Sequence, residues 1–299
     1  MANTLTTMQA RIFADSAIKK LNDFLLPLSS FSTSFSSAAA QKGDTVRVPV
    51  FPTSTSAASF NGDYSGTDRT ITGVDISLNN HYFDSVAFTD RELAESPADY
   101  FGEMGAQLGK SIAKTVLTNV LGTITAANYG NAAGDKLVVA GGSVTVADLI
   151  TVRQKLAAKG VHASDATLVL GLDYYATILG SSTLLANNFG GAEAVRTGKI
   201  PSLYGFKNVI ESNIVPTNSE NLGSFACAPQ AIGVAMRYLA PQSTTGLIDA
   251  GMVTDDESGV TLGVRVIPAP LNGKVHYVVE ALWGKSKVDG SALVRVLSA

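Results

Sequence analysis

The sequence contains a single cysteine, Cys227, set in the apolar run "SFACAPQA". No disulfide can close within the chain, and no thiolate cluster can hold a metal. Its neighbours mark Cys227 as a small buried hydrophobe rather than a reactive thiol. Charge is also scarce. Only 16% of the 299 residues are charged, against about a quarter in an ordinary soluble domain. Such a shortfall implies that much of the surface is covered by something else, and other copies of the chain are the simplest cover. The net charge of −3 lacks the basic footprint of a sequence-specific nucleic-acid binder.

Long hydrophobic runs are missing too. No stretch approaches the ~18–20 apolar residues that span a bilayer, so no membrane partner is expected. The start of the chain is not a signal peptide, because Asp15, Lys19, Lys20 and Asp23 interrupt any apolar core. Assembly in the cytoplasm is the expectation.

The usual signatures of chemistry are lacking as well. The three histidines, His81, His162 and His276, are far apart, with no pair at helical ligand spacing. There is no GxSxG elbow. "GNAAGDK" (130–136) has neither the spacing nor the Ser or Thr of a phosphate loop, and its strand follows rather than precedes it. Asp255-Asp256-Glu257 lacks the alternating spacing of a calcium loop and reads as a solvated turn. No catalytic residue, cofactor or metal ligand is expected.

What is present is a sequence of well-punctuated elements. Residues 1–28 read as a short amphipathic helix ended by Pro27, followed by "SSFSTSFSSAAA", an extended arm with Phe31 and Phe35 set into it. Val46, Val48 and Val50 alternate as a strand, with Pro49 and Pro52 confining it to an edge or hairpin. Asn61-Gly62 is a hairpin-turn signal, and Val74, Ile76 and Leu78 form the returning strand. Isolated hairpins are marginal in water, so this one is expected to lie on another subunit.

Ser96, Pro97 and Asp99 then open a long helix with Phe101, Met104, Leu108, Ile112, Val116 and Val120 at spacings of three and four. Gly102, Gly105 and Gly109 weaken it by about 1 kcal/mol each, so a closely packed neighbour must compensate. Thr145 and Asp148 form an approximate capping box for a second helix, stopped at Gly160. "ATLVLG" (166–171) is a buried strand, and "LDYYATILG" a short helix capped by Asp173. In "PSLYGFKNVIESNIVP" (201–216), a core strand has turns at both ends, Gly205 permitting close backbone approach and Val209 packing inward. "SFACAPQAIGVAMR" predicts a strand and then a short helix, and further strands follow Asn272-Gly273 and Asp289-Gly290. The class is α+β.

The order of these elements resembles tailed-phage major capsid proteins with the HK97-like fold. "VADLITVRQKLAAKGVHASDATLVLGLDYYATIL", "TGKIPSLYGFKNVIESNIVP" and "FACAPQAIGVAMR" are similar to that family's axial-domain segments. The resemblance implies an N-terminal arm (1–43), an E-loop hairpin (44–90), a peripheral domain with a spine helix (91–139), an axial domain (140–244) and peripheral return strands (245–299). It implies a virion shell protein that assembles as pentamers and hexamers of itself, without enzymatic activity. Non-specific contact with packaged double-stranded DNA is further implied. An encapsulin-type cellular shell of the same fold is the alternative. With few residues before the hairpin, a separate scaffolding protein is expected, beside a portal and, where the shell needs one, a decoration protein. Residues 51–75 contain Arg69 but no lysine, so the lysine cross-link of some relatives is not expected. Inter-subunit contacts are expected at Phe31 and Phe35 in the arm, at Phe60, Tyr64, Asp68 and Arg69 in the hairpin, and at Asn187, Asn188 and Phe189 near the axes.

Overall fold

The apolar stripes read from the sequence close around two sheets that share one continuous core. The computed structural model describes residues 8–39, 41, 43–50, 59–60, 62, 72–95, 98–181, 197–200, 203–243, 245–256 and 258–299. Ser96 and Pro97, expected to open the long helix, lie outside them.

The first layer is a pair of helices, α1 (Met8–Phe24) and α3 (Ala98–Leu121), preceded on the α3 side by the short α2 (Asp90–Glu95). Phe101, Leu108, Ile112, Val116 and Val120 are all buried, as their spacing predicts. The compensating neighbour is α1. A β-carbon at Gly105 or Gly109 would meet the carbonyl oxygens of Phe13 or Ala17. The glycines therefore let two backbones touch, and Ala10, Ala14 and Ala17 complete the seam.

These helices lie on a six-stranded sheet of β1 (Ser32–Ala39), β9 (Ile232–Tyr238), β12 (Lys274–Lys287), β11 (Thr261–Ala269) and β10 (Asp249–Thr254), in that order, with β4 (Asn80–Thr89) antiparallel to β12. β12 is the axis of the sheet: β11 and then β9 pair along one edge, β4 along the other. Its Tyr277, Val279, Ala281 and Trp283 face the helices and are buried. A two-stranded hairpin, β2 (Thr45–Val50) with β3 (Thr72–Ser77), crosses the opposite face. There Ile76 and Leu78 pack on Ala235 and Leu282.

The second sheet has the order β5 (Lys136–Val138), β13 (Leu293–Leu297), β8 (Leu222–Cys227), β6 (Thr167–Gly171), β7 (Asn208–Ser212). It carries α5 (Val146–Ala158) and α6 (Leu172–Leu179), and the one-turn α4 (Ala126–Tyr129) lies between the sheets. The Thr145–Asp148 capping box is present, with the Asp148 N–H donating to Thr145 Oγ1 (3.4 Å) and the Thr145 N–H to Asp148 Oδ2 (2.8 Å).

Several expectations are corrected. Over its described residues the N-terminal tract is tied into its own subunit: α1 packs on α3, and β1 runs parallel to β9 with Ser32 opposite Gly233. Its small Ser and Ala side chains let it satisfy an otherwise open edge of β9. The "helix" after Cys227 is strand β9, held between β1 and β12, where pairing on both sides overrides the propensity of Ala, Met and Arg. Asp173 does not cap α6. Gly171 holds the cap position, and Asp173 sits in the first turn, where its charge suits the helix dipole.

In the 201–216 motif, β7 is an edge strand rather than a core strand. Ile210 is buried while Val209 is only half-buried. Gly205 is needed for its φ of +79°, not for crowding, since the nearest group to an added β-carbon is the Arg153 guanidinium at 4.0 Å. Across residue 244, β9 joins the six-stranded sheet and β13 the five-stranded one. Long-range pairing decides sheet membership, and local sequence does not carry it.

Candidate functional site

Two regions stand out once the folded elements are in place. One is buried between the sheets; the other is open.

The buried region surrounds the C-terminal end of α3. A helix leaves its last carbonyls without partners inside the helix; here the following turn meets several of them, as the Ile124 N–H does that of Leu121 (3.0 Å), and both sheets add side-chain donors. From the six-stranded sheet, Trp283 Nε1 donates to Asn119 Oδ1 (3.3 Å) and Lys285 Nζ donates to the Asn119 carbonyl. Burial holds the Lys285 ammonium below its ordinary pKa. From the five-stranded sheet, Asn218 Nδ2 donates to the carbonyls of Leu121 and Ile124, both at 2.9 Å. Glu220 accepts the Ala126 N–H through both oxygens (2.8 and 2.9 Å) and pairs with Arg295, whose side chain is fully buried. Arg295 also donates to the Gly130 carbonyl at 2.5 Å. Its Nε has no partner among the described residues.

The loop that presents Asn218 and Glu220 adopts positive φ at Asn218 (52°), Ser219 (57°) and Asn221 (57°). Asn tolerates this region better than most residues, and Ser less so. Sequence reading missed this group. The signal available was Arg295 at an inward position of "LVRVL", which requires a buried acceptor.

The open region is the hairpin side of the six-stranded sheet. Alternation places His81, Phe83, Ser85 and Ala87 of β4 on one face with Leu282, Glu280, Val278 and His276 of β12. Glu280 is held by Arg265 Nε (2.6 Å) and His81 Nε2 (3.0 Å), and Gly263 leaves the space for it. Around this neutralised group, Phe83 is 66% exposed, and Val278, Ile267 and Met252 are half-buried. At the β11–β12 turn, Leu271 is fully exposed. These apolar side chains are surfaces a solvated monomer has no use for.

The expected contact residues are divided. Phe31 is taken up inside its own subunit, buried and stacked on Phe225 at 6.0 Å; it is a core residue, not an outward anchor. Phe35 is half-buried against the same core. Phe60 is 63% exposed. Tyr64, Asp68, Arg69, Asn187, Asn188 and Phe189 lie outside the described residues. At the described base of the hairpin, Arg47 and Asp75 face each other across the strands at 3.9 Å, both exposed.

Cys227 is buried, and burial pushes its thiol well above its ordinary pKa. A cleft of about 470 Å³ opens beside α6, lined in part by Asp173, Tyr174, Ser212 and Asn213. Two of its hydroxyls are already committed, Tyr174 to the Val139 carbonyl (2.8 Å) and Ser212 to that of Ile214 (3.2 Å).

The comparisons place this architecture in a class, that of capsid proteins. The family model for phage capsid proteins matches residues 84–274, well over half of the chain, from β4 into β12. The chain belongs to the phage capsid protein family. Its fold, HK97-like, is shared with the capsid of Cyanophage P-SCSP1u at a TM-score of 0.61, with 16% identity over 90% of this chain and 86% of that one. The mature capsid of bacteriophage PhiM1 gives a TM-score of 0.57, with 15% identity over 90% and 86%. The virus-like particle from Pyrococcus furiosus gives 0.54, with 13% identity over 96% and 98%. No curated protein matches the chain.

Proposed function

We propose that this chain is the major capsid protein of a tailed bacteriophage, assembling through pentamers and hexamers into an icosahedral shell around double-stranded DNA. The family match over residues 84–274 carries the reading. The low charged fraction and the open apolar sheet face support it, because both need a covering that other copies supply. The role is geometric rather than enzymatic. Heterologous contacts that close about symmetry axes turn one chain into a finite shell. The hairpin is the element best suited to reach a neighbour, and Phe60, Tyr64, Asp68 and Arg69 are assigned to that contact. Asn187, Asn188 and Phe189 are assigned to contacts near the axes. Scaffolding, portal and decoration proteins are the expected partners, the packaged DNA is met non-specifically, and assembly takes place in the host cytoplasm.

Electron microscopy of the expressed protein, with and without its genomic neighbours, tests this. Closed particles containing DNA are expected in the phage context. Particles that hold only a co-encoded protein cargo would move the chain to an encapsulin-type shell. A monomer that forms no particle under any assembly condition would remove it from both.

A further inference from the structure

We infer that Asn218, Glu220 and Arg295 are positioning residues for assembly: they fix the angle between the two sheets at the end of α3, and so set the curvature of the shell. The inference rests on the shell reading and adds to it the element that decides shell size.

The end of α3 is the only described place where one helix terminus is hydrogen-bonded by side chains from both sheets. Asn119 is held from the six-stranded sheet by Trp283 and Lys285. Just beyond it, Leu121 and Ile124 are held from the five-stranded sheet by Asn218. The two sheets can change their mutual angle only if one set of these bonds yields. Asn218 is itself constrained from three sides. The positive φ values of residues 218, 219 and 221 fix the loop shape at a conformational cost. The Ser298 N–H donates to the Asn221 carbonyl at 2.7 Å, tying the loop to the segment after β13. Glu220 is bound to the fully buried Arg295, which reaches on to Gly130 beyond α4.

A strained loop held by an ion pair to a buried arginine is not needed merely to end a helix. Backbone groups already end it at Gly122: the N–H groups of Gly122, Thr123 and Ile124 donate to the carbonyls of Thr118 (2.9 Å), Val120 (3.1 Å) and Leu121 (3.0 Å). A side-chain cap from another sheet also specifies where that sheet must be. In a shell, a small change in the angle within each subunit is repeated at every interface and alters the closure of the whole, so the angle at the joint is read out as particle diameter.

The test uses Asn218→Gly, which removes the cap while relieving the positive φ, and Glu220→Gln, which keeps the side-chain shape but removes the charge. Val152→Ala, a core truncation in α5 away from the joint, is the control with a comparable loss in unfolding midpoint. Circular dichroism verifies the fold, and electron microscopy measures shell diameters. Wild-type and Val152→Ala subunits are expected to give one diameter, and both joint variants to lose it for a mixture of sizes. Joint variants that assemble at the wild-type diameter, or a control that broadens equally, overturn this inference alone. A wild-type chain that forms no shell overturns the shell reading beneath it.

Discussion

Gly105 of α3 lies so close to Phe13 of α1 that a β-carbon there would stand 2.2 Å from the Phe13 carbonyl oxygen. Backbone, not a movable side chain, fills the space. Gly105→Ala therefore opposes two effects. Alanine favours the helix by about 1 kcal/mol, while forcing the helices apart costs about 1–3 kcal/mol. Their contact is extensive, so separation should win. A lowered urea midpoint is expected, and a raised one would show that the seam is not tight.

Asp135 binds the Lys159 ammonium at 2.8 Å, with both side chains largely shielded. The hydrogen bond from Lys159 is the main cause holding the Asp135 carboxyl below its ordinary pKa. The unfolded chain then takes up this proton first as pH falls. Stability from the pair is complete above the ordinary carboxylate pKa of about 3.9 and is lost as pH drops through the lower folded value. Asp135→Asn should flatten the acid limb of a stability–pH curve. An unchanged acid limb would count against the pair.

Phe83 is two-thirds exposed on the open sheet face. Phe83→Ser should change subunit stability by no more than about 0.5 kcal/mol, as for most surface positions. Shell yield should nonetheless fall, since the side chain is assigned to a covered interface. Light scattering during assembly measures this, and normal yield would leave the face without a role.

The segment joining β2 to β3 is expected to be dispensable for folding of the subunit. The base of the hairpin packs through Ile76 and Leu78, so deleting residues 54–70 with a short turn in their place should preserve the circular dichroism spectrum and block shells. Loss of subunit folding would mean that the segment works within its own chain.

Local order was legible in the sequence where local physics decides it. The period of α3, the Thr145–Asp148 box and the buried strand at 167–171 all follow from spacing, capping and composition. The glycines of α3 even announced a close neighbour, although not that α1 would provide it. What could not be read was decided by distant partners. Ile232–Tyr238 is a strand because β1 and β12 flank it. Phe31 is buried because Phe225, far along the chain, offers it a ring to stack on. Asn218 looks like an ordinary turn residue until the end of α3 arrives beside it. Of the contact residues expected from family resemblance, Phe31 was drawn inward for the same reason.

Consecutive strands β8 and β9, and again β12 and β13, part company into different sheets. Neither sheet is a continuous piece of chain. A protease cutting any single loop could not release half of the molecule as an independent unit. During translation, β12, the axis of one sheet, and β13, an inner strand of the other, emerge after every other strand. The ribosome must therefore finish most of the chain before either sheet can close, and contacts so remote in sequence form slowly. Until then the apolar surfaces meant for the core stay exposed to neighbouring nascent chains, so newly made subunits should depend on chaperones more than a chain with two contiguous domains would.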